Sequence, residues 1–168
     1  MNTRWKPSAT VAAIIAREVG GVTEFLLVEE HTPEGLRLNN PAGHLDPGES
    51  PVEACAREAL EETAFHFRPT ALVGVYLSRF QRELADGRDD ITYLRFAFCG
   101  ELGDFVAGQS LDKGIVRTLW LSADAIRACP EMHRSPLLIR CMDDYLAGAR
   151  HPLSVITTDA SVYGQGPT

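Results

Sequence analysis

The sequence predicts one α/β (α+β) domain, residues 1–168, built as a mixed sheet covered on both faces by helices. Three observations carry that prediction. At 168 residues and 45% hydrophobic content, the chain is long enough for one sizeable core and ordinary for a soluble globular domain. Short β-branched apolar runs recur before and after one strongly helical stretch. One of them, Thr10 to Ile15 (TVAAII), is continuous rather than alternating, as a strand buried on both faces requires.

In chain order, residues 1–7 form a lead-in carrying Arg4, Trp5 and Lys6. Gly20-Gly21 signals a hairpin, with Glu24 to Glu30 (EFLLVEE) as the partner strand. Leu36 to Asn40 is a short extended segment, and Pro41 biases Asn40 away from helix. A helix follows from about Pro51 to Ala64, with Ser50 as N-cap, Pro51 as first helical residue and Glu53 closing a capping box. Strands are expected over Ala71 to Phe80 and Ile91 to Leu102, joined through the Asp86-Gly87 turn. Ile115 to Leu121 is a further strand. Ser122 caps a short helix, and Ser135-Pro136 starts another that ends at Gly148. The tail from about residue 157 is polar, Gly-containing and expected to be loosely ordered.

A net charge of −7 argues against a nucleic-acid polymer or an anionic membrane as partner. Cys55, Cys99, Cys129 and Cys141 are widely spaced, with no C-x-x-C pair, which fits reduced, packed thiols and a cytoplasmic location. The N-terminus lacks an apolar h-region, and no apolar run reaches transmembrane length. Monomer and homodimer are both compatible with the sequence.

The chemistry concentrates in Gly43 to Phe65, GHLDPGESPVEACAREALEETAF. At roughly 100° per residue, Glu58, Glu61 and Glu62 share one helical face, while Val52, Ala56, Ala59 and Leu60 share another that can pack on a core. Like charges at i,i+4 repel. A hard divalent cation would make their gathering favourable, and Mg²⁺ takes few protein ligands plus substrate phosphates. A Glu-rich helix is by itself commonly a solvated face. The upstream Gly43 and Glu49 change that reading.

The stretch resembles the signature of the Nudix hydrolases, G-x5-E-x7-R-E-U-x-E-E-x-G-U with U bulky and aliphatic. Gly43, Glu49, Arg57, Glu58, Glu61 and Glu62 meet it at the required spacings. With each residue type near one in fifteen, chance supplies six such matches about once in ten million starting positions. Ala59 stands at an aliphatic position, Ala64 stands where the family has Gly, and Phe65 fills the last apolar position. Ala64 bears on how the helix ends: a left-handed non-Gly residue costs of order 1 kcal/mol. Beyond the signature, VAAII, FLLVEE, NPAGHL, YLRFAF and RSPLLIRCMDDYLAGARHPL are similar to the NudJ phosphatase branch, over residues 9–156.

The resemblance implies a Nudix-type α/β/α sandwich with a loop–helix–loop catalytic motif. It implies a hydrolase of phosphoanhydride bonds in nucleoside di- and triphosphates, and in thiamine-pathway diphosphates, by metal-activated water. Mg²⁺, with Mn²⁺ as substitute, would be held by Glu58, Glu62 and Glu61 with the Gly43 carbonyl. Arg57 and Glu49 match the family's support pair. For the general base, Glu58 is the candidate within the signature, and Asp112, Glu83 and Glu101 lie outside it. Arg95, Arg37 and Arg79 are candidates for substrate phosphates, since Arg suits bidentate contacts. Trp5, Tyr76, Tyr93 and Trp120 could stack on a base, with core packing favoured for Trp120. His44 reads as an exposed loop residue rather than a ligand. Two other functions stay open: an ADP-ribose or dinucleoside-polyphosphate pyrophosphatase, and a non-catalytic nucleotide sensor.

Overall fold

In the computed structural model, which describes residues 4–164, two sheets stand between helices. The first has the order β5-β1-β7-β6-β9, made by Ala42–His44 (β5), Ser8–Ile14 (β1), Gly87–Phe105 (β7), Phe65–Leu84 (β6) and His151–Pro152 (β9). Only β1 and β7 run parallel, so the sheet is mixed. The second is centred on Val22–Thr32 (β3), flanked by Ala16–Val19 (β2), Gly35–Asn39 (β4) and Ile115–Ser122 (β8). The helices are Pro51–Thr63 (α1), Ala123–Arg127 (α2) and Leu137–Leu146 (α3).

β1 explains the layering. Val11, Ala13 and Ile15 pack with Ala54, Cys55 and Ala59 of α1, while Ala12 and Ile14 pack with Leu138, Cys141 and Met142 of α3. A strand buried on both faces has no polar side, and the run TVAAII has none after its first residue. Of the α1 face expected to pack, Ala59 is fully buried, whereas Val52, Ala56 and Leu60 are half-buried; Ala54 and Cys55 complete the contact.

The Gly20-Gly21 hairpin joins β2 to β3, so the partner of EFLLVEE is the short strand Ala16–Val19 rather than the TVAAII run. The chain changes sheets at Ile15, whose carbonyl still accepts from Leu26 N–H at 2.9 Å. β1 needs apolar neighbours on both sides and finds β5 and β7. The long hairpin also exceeds its sequence-based bounds. β6 starts at Phe65, and its register shifts between Phe65 and Phe67, Pro69 and Ala71, and Leu72 and Gly74. Bulges at these points absorb Pro69, which supplies no ladder N–H.

The helix ends follow the sequence. Ser50 Oγ accepts from Glu53 N–H and Glu53 accepts from Ser50 N–H, a complete capping box. Ser122 caps α2 through Ala125 N–H. All four cysteines are free, and Cys55, Cys99 and Cys141 are buried. In the tail, residues 153–155 and 160–163 form 3-10 turns, and Tyr163 O–H donates to Glu53 at 2.9 Å. Residues 165–168 of that tail and 1–3 of the lead-in lie outside the described residues. No helix among the described residues is long and apolar enough to cross a membrane.

Candidate active site

The site is assembled at the C-terminal half of α1. Helices leave their last carbonyls without intrahelical partners, and here a loop answers them. Val106 N–H donates to Ala64 O at 2.8 Å and Asp112 N–H donates to Glu61 O at 2.9 Å. That second bond draws Asp112 against the helix. Carboxylate oxygens of Glu58, Glu61 and Asp112 consequently lie within 4.8 Å of one another.

Arg57 holds the group from the other side. Its guanidinium grips Glu49 through Nε and Nη2, at 2.9 and 2.7 Å, and donates through Nη1 to Glu58 at 2.8 Å and Glu61 at 2.9 Å. It also reaches the His44 carbonyl at 3.0 Å, fixing the loop ahead of the helix. One planar fork thus orients three carboxylates and a backbone oxygen, which the flexible ammonium of lysine would not do. The pairing with Arg57 holds Glu49 below the usual carboxylate range and raises Arg57 itself.

Gly43 packs directly on the group. A Cβ at this position would fall 2.1 Å from the Glu58 carboxyl, so no other residue fits without displacing it. The glycine is therefore demanded by close approach.

Glu62 occupies a drier place. One carboxylate oxygen accepts from Ala42 N–H at 2.9 Å. Burial is the largest cause of its raised pKa, pushed up to about 8, with the charges of Glu58, Glu30 and Asp112 adding to it. Glu58 is also raised by burial, though Arg57 opposes the shift. The donor set suits a hard cation: carboxylate oxygens in excess, crowded, and costly to leave uncompensated.

Behind β5 lies a cavity of about 290 Å³. Thr10, Glu30, Asn39, His44, Tyr93 and Arg95 line it from the two sheets, and Arg134, Ser135 and Pro136 from the segment ahead of α3. Ala42 and Gly43 line it as well, so β5 separates the cavity from the carboxylates.

The structure brings together most of the sequence candidates. Glu58, Glu61, Asp112, Arg57, Glu49 and Gly43 form one contact group, with Glu62 beside it. Arg95 is buried in the cavity wall. Arg79 lines the same cavity but is tied to Asp90 by Nε and Nη2 at 2.7 and 2.5 Å. Arg37 donates to its neighbour Leu36 O and does not line the cavity. Glu83 pairs with Arg88 near the β6–β7 turn, and Glu101 pairs with Arg68 across the same hairpin, so neither base candidate joins the group. Trp120 packs against the α1-side core under Arg17, Tyr76 is tied to Asp144, Trp5 is exposed, and Tyr93 alone of the aromatic candidates lines the cavity. Sequence reasoning missed Thr10, Glu30, Asn39 and Arg134. A signal for one existed: Glu30 shares its strand face with Leu26 and Val28, both buried.

The NUDIX domain profile matches residues 6–139. The chain belongs to the Nudix family. It is 36% identical over 152 residues to the phosphatase NudJ of Escherichia coli K12, a match covering 90% of this chain and 92% of that protein. NudJ of Shigella flexneri matches to the same extent. Among solved structures, a NUDIX hydrolase from Nitrosomonas europaea superposes with TM-score 0.79 at 46% identity, covering 92% of this chain and 98% of that one. A MutT protein from Methanosarcina mazei Go1 superposes with TM-score 0.59 at 25% identity, covering 88% and 100%. As a Nudix member, the chain is a hydrolase of the pyrophosphate and phosphoanhydride class, with a small-molecule substrate and a divalent metal ion as cofactor.

Proposed function

We propose that this Nudix hydrolase cleaves phosphoanhydride bonds of nucleoside di- and triphosphates and of thiamine-pathway diphosphates, using Mg²⁺, with Mn²⁺ able to substitute. The observation that carries this reading is the gathering of Glu58, Glu61 and Asp112 within 4.8 Å of one another beside Gly43. Arg57 offsets part of that charge, and a divalent ion would offset the rest. Glu58, Glu61 and Glu62, with the Gly43 carbonyl, are the residues to hold it. When bound, a divalent ion neutralises phosphate charge and makes a nearby water more acidic.

The protein's own groups do the rest. Arg57 and Glu49 keep the carboxylates oriented, and support of this kind commonly sets affinity and activity by about 10–100-fold. Asp112 enters from a loop beside Glu58 and Glu61, which supports it as the acceptor of a proton from the attacking water; Glu58 is the second candidate for that role. Arg95 faces the substrate from the cavity wall. Positioning and charge stabilisation supply most of the catalysis in phosphoryl transfer, so a modest base suffices.

The test is a panel of nucleotides, ADP-ribose, dinucleoside polyphosphates and thiamine diphosphate, with Mg²⁺ or EDTA and products identified. Release of orthophosphate from di- and triphosphates, lost in EDTA and restored by Mg²⁺, is expected. Nucleoside monophosphates from ADP-ribose or dinucleoside polyphosphates, without orthophosphate, would make the chain a pyrophosphatase of that type. Tight nucleotide binding with no turnover on any compound would make it a sensor.

A further inference from the structure

Arg95 is a buried cation whose aim is set by packing. It is only 8% exposed, and among the described residues its Nε and Nη1 find no hydrogen-bond partner. An interior guanidinium is commonly fixed by a carboxylate that accepts from its fork. This one has to be fixed by what it lies against. Two residues flank it on its own face of the sheet, each directly opposite in register: Thr10 on β1 and Tyr76 on β6. Thr10 is small. Tyr76 is the large neighbour, and it is itself held on several sides.

Tyr76 Oη donates to an Asp144 carboxylate oxygen of α3 at 2.9 Å. Arg140, one turn earlier on α3, donates to the same oxygen at 3.1 Å and fixes that carboxylate in place. The ring lies back over Gly74, where a Cβ would fall 2.7 Å from Tyr76 Oη and 2.8 Å from Cζ. Glycine is therefore required there by the close approach of the ring. Cys141 of α3, fully buried, borders both Tyr76 and Arg95. A phenylalanine would fill the same space on β6. What the hydroxyl adds is the tie to α3, and that tie stops the ring from turning off Gly74 and away from Arg95.

We infer that Tyr76 is a positioning residue for Arg95: Asp144 locks its ring over Gly74, and the locked ring holds the Arg95 side chain in its place in the cavity wall. Tyr76 does not line the cavity, whereas Arg95 does. It therefore acts through Arg95 and touches no substrate. The consequence for turnover rests on the hydrolase reading, in which Arg95 faces the substrate. The consequence for the order of Arg95 does not.

The test uses the full chain and reads Arg95 twice. In EDTA, NMR hydrogen exchange follows the Arg95 Nε–H, identified by its loss in Arg95→Lys. Tyr76→Phe keeps the ring and removes the tie, so it should speed that exchange about tenfold, the scale of one hydrogen bond to a charged group. With Mg²⁺ and ADP as the probe, KM should rise about tenfold while kcat stays within about twofold of wild type, the split expected when ground-state and transition-state contacts weaken together. In the Arg95→Lys background, Tyr76→Phe should change KM no further, because the two residues act as a unit. Arg127→Gln is the control. It cuts a different tie of α3, the bond to Asp143 at 2.5 Å, and should leave both readouts at their wild-type values. Wild-type exchange in a folded Tyr76→Phe protein overturns the inference, as does an additive double variant. The same response in Arg127→Gln also overturns it, since the effect would then belong to the docking of α3 in general. Failure of the hydrolase reading looks different: the wild type would form no product from any diphosphate, while the exchange difference at Arg95 would persist.

Discussion

Glu58 and Glu62 sit one turn apart on α1 and are both carboxylates, but they live in different media. Glu58 is gripped by Arg57 and joined by Glu61 and by Asp112 from a loop. Glu62 lies on the other flank, against Ala42 N–H, between the carboxylate group and the cavity that holds Arg95 and Glu30. Burial raises both carboxyls, and on the first flank the Arg57 guanidinium opposes the rise. On the second, burial prevails, since a group with a pKa of about 8 is largely protonated at neutral pH without a cation. Helical periodicity places both on one face. Only what the rest of the chain brings up to each flank separates them.

The largest effect expected is at the assembled flank. Glu58→Gln keeps the shape and removes a charge, so orthophosphate release at saturating Mg²⁺ should fall roughly a thousandfold, which corresponds to several kcal/mol of transition-state stabilisation. Thermal stability should hold or rise in EDTA, because one member of a repelling group is gone. Turnover within a factor of a few of wild type would show that the assembled flank is not where the chemistry happens. Asp112→Asn asks whether the loop belongs to that flank. Its backbone bond to Glu61 survives the change, so the loop stays docked. A fall in kcat of roughly 10–100-fold with little change in KM is expected; an unchanged kcat would leave Glu58 as the base.

Much of this division was legible in the sequence. Gly43, Glu49, Arg57 and the three glutamates are local, within one loop and helix, so spacing alone orders them. Asp112 was reachable because it precedes a strand expected at Ile115. The cavity was not legible. Thr10, Glu30, Asn39 and Arg95 come from β1, β3, β4 and β7, and only sheet pairing makes them neighbours. The same holds for the β1 partners, because strand pairing at long range leaves little trace in a single strand's pattern. Arg79 illustrates the reverse: a plausible phosphate ligand by type, already satisfied by Asp90 two residues from its cross-strand position.

The buried flank is tested by pH in EDTA. The folded pKa of Glu62 is raised above the ordinary carboxyl value, to about 8, chiefly by burial. Its contribution to stability is therefore intact below about pH 4.3 and is lost as pH rises towards 8, because the unfolded chain gives up the proton first. Wild-type Tm should drop between pH 5.5 and 8.5, and the slope should be shallower in Glu62→Gln. Parallel profiles would mean that Glu62 is ionised in the folded protein and that the two flanks do not differ.

The smallest effect is expected where both flanks end. Ala64 terminates α1 in the left-handed region, at φ 60°, and its N–H donates to Leu60 O. Where the family signature has Gly, this alanine bears strain of about 1–2 kcal/mol. Substituting glycine relieves that strain but forfeits two things. The methyl group is buried, at 2% exposure, and a buried carbon of that size is worth about 0.8 kcal/mol. Glycine also adds unfolded-state freedom worth about 0.5–1 kcal/mol. The opposing terms nearly cancel, which explains how alanine is tolerated at this position. Ala64→Gly should accordingly shift stability by less than about 1 kcal/mol by urea denaturation, with kcat unchanged because Asp112 still docks through Glu61 O. Ala64→Val keeps the apolar volume but adds β-branching where φ is positive, and should be clearly less stable. If valine were as stable as alanine, the left-handed end would not be strained, and the glycine of the signature would need some other reason.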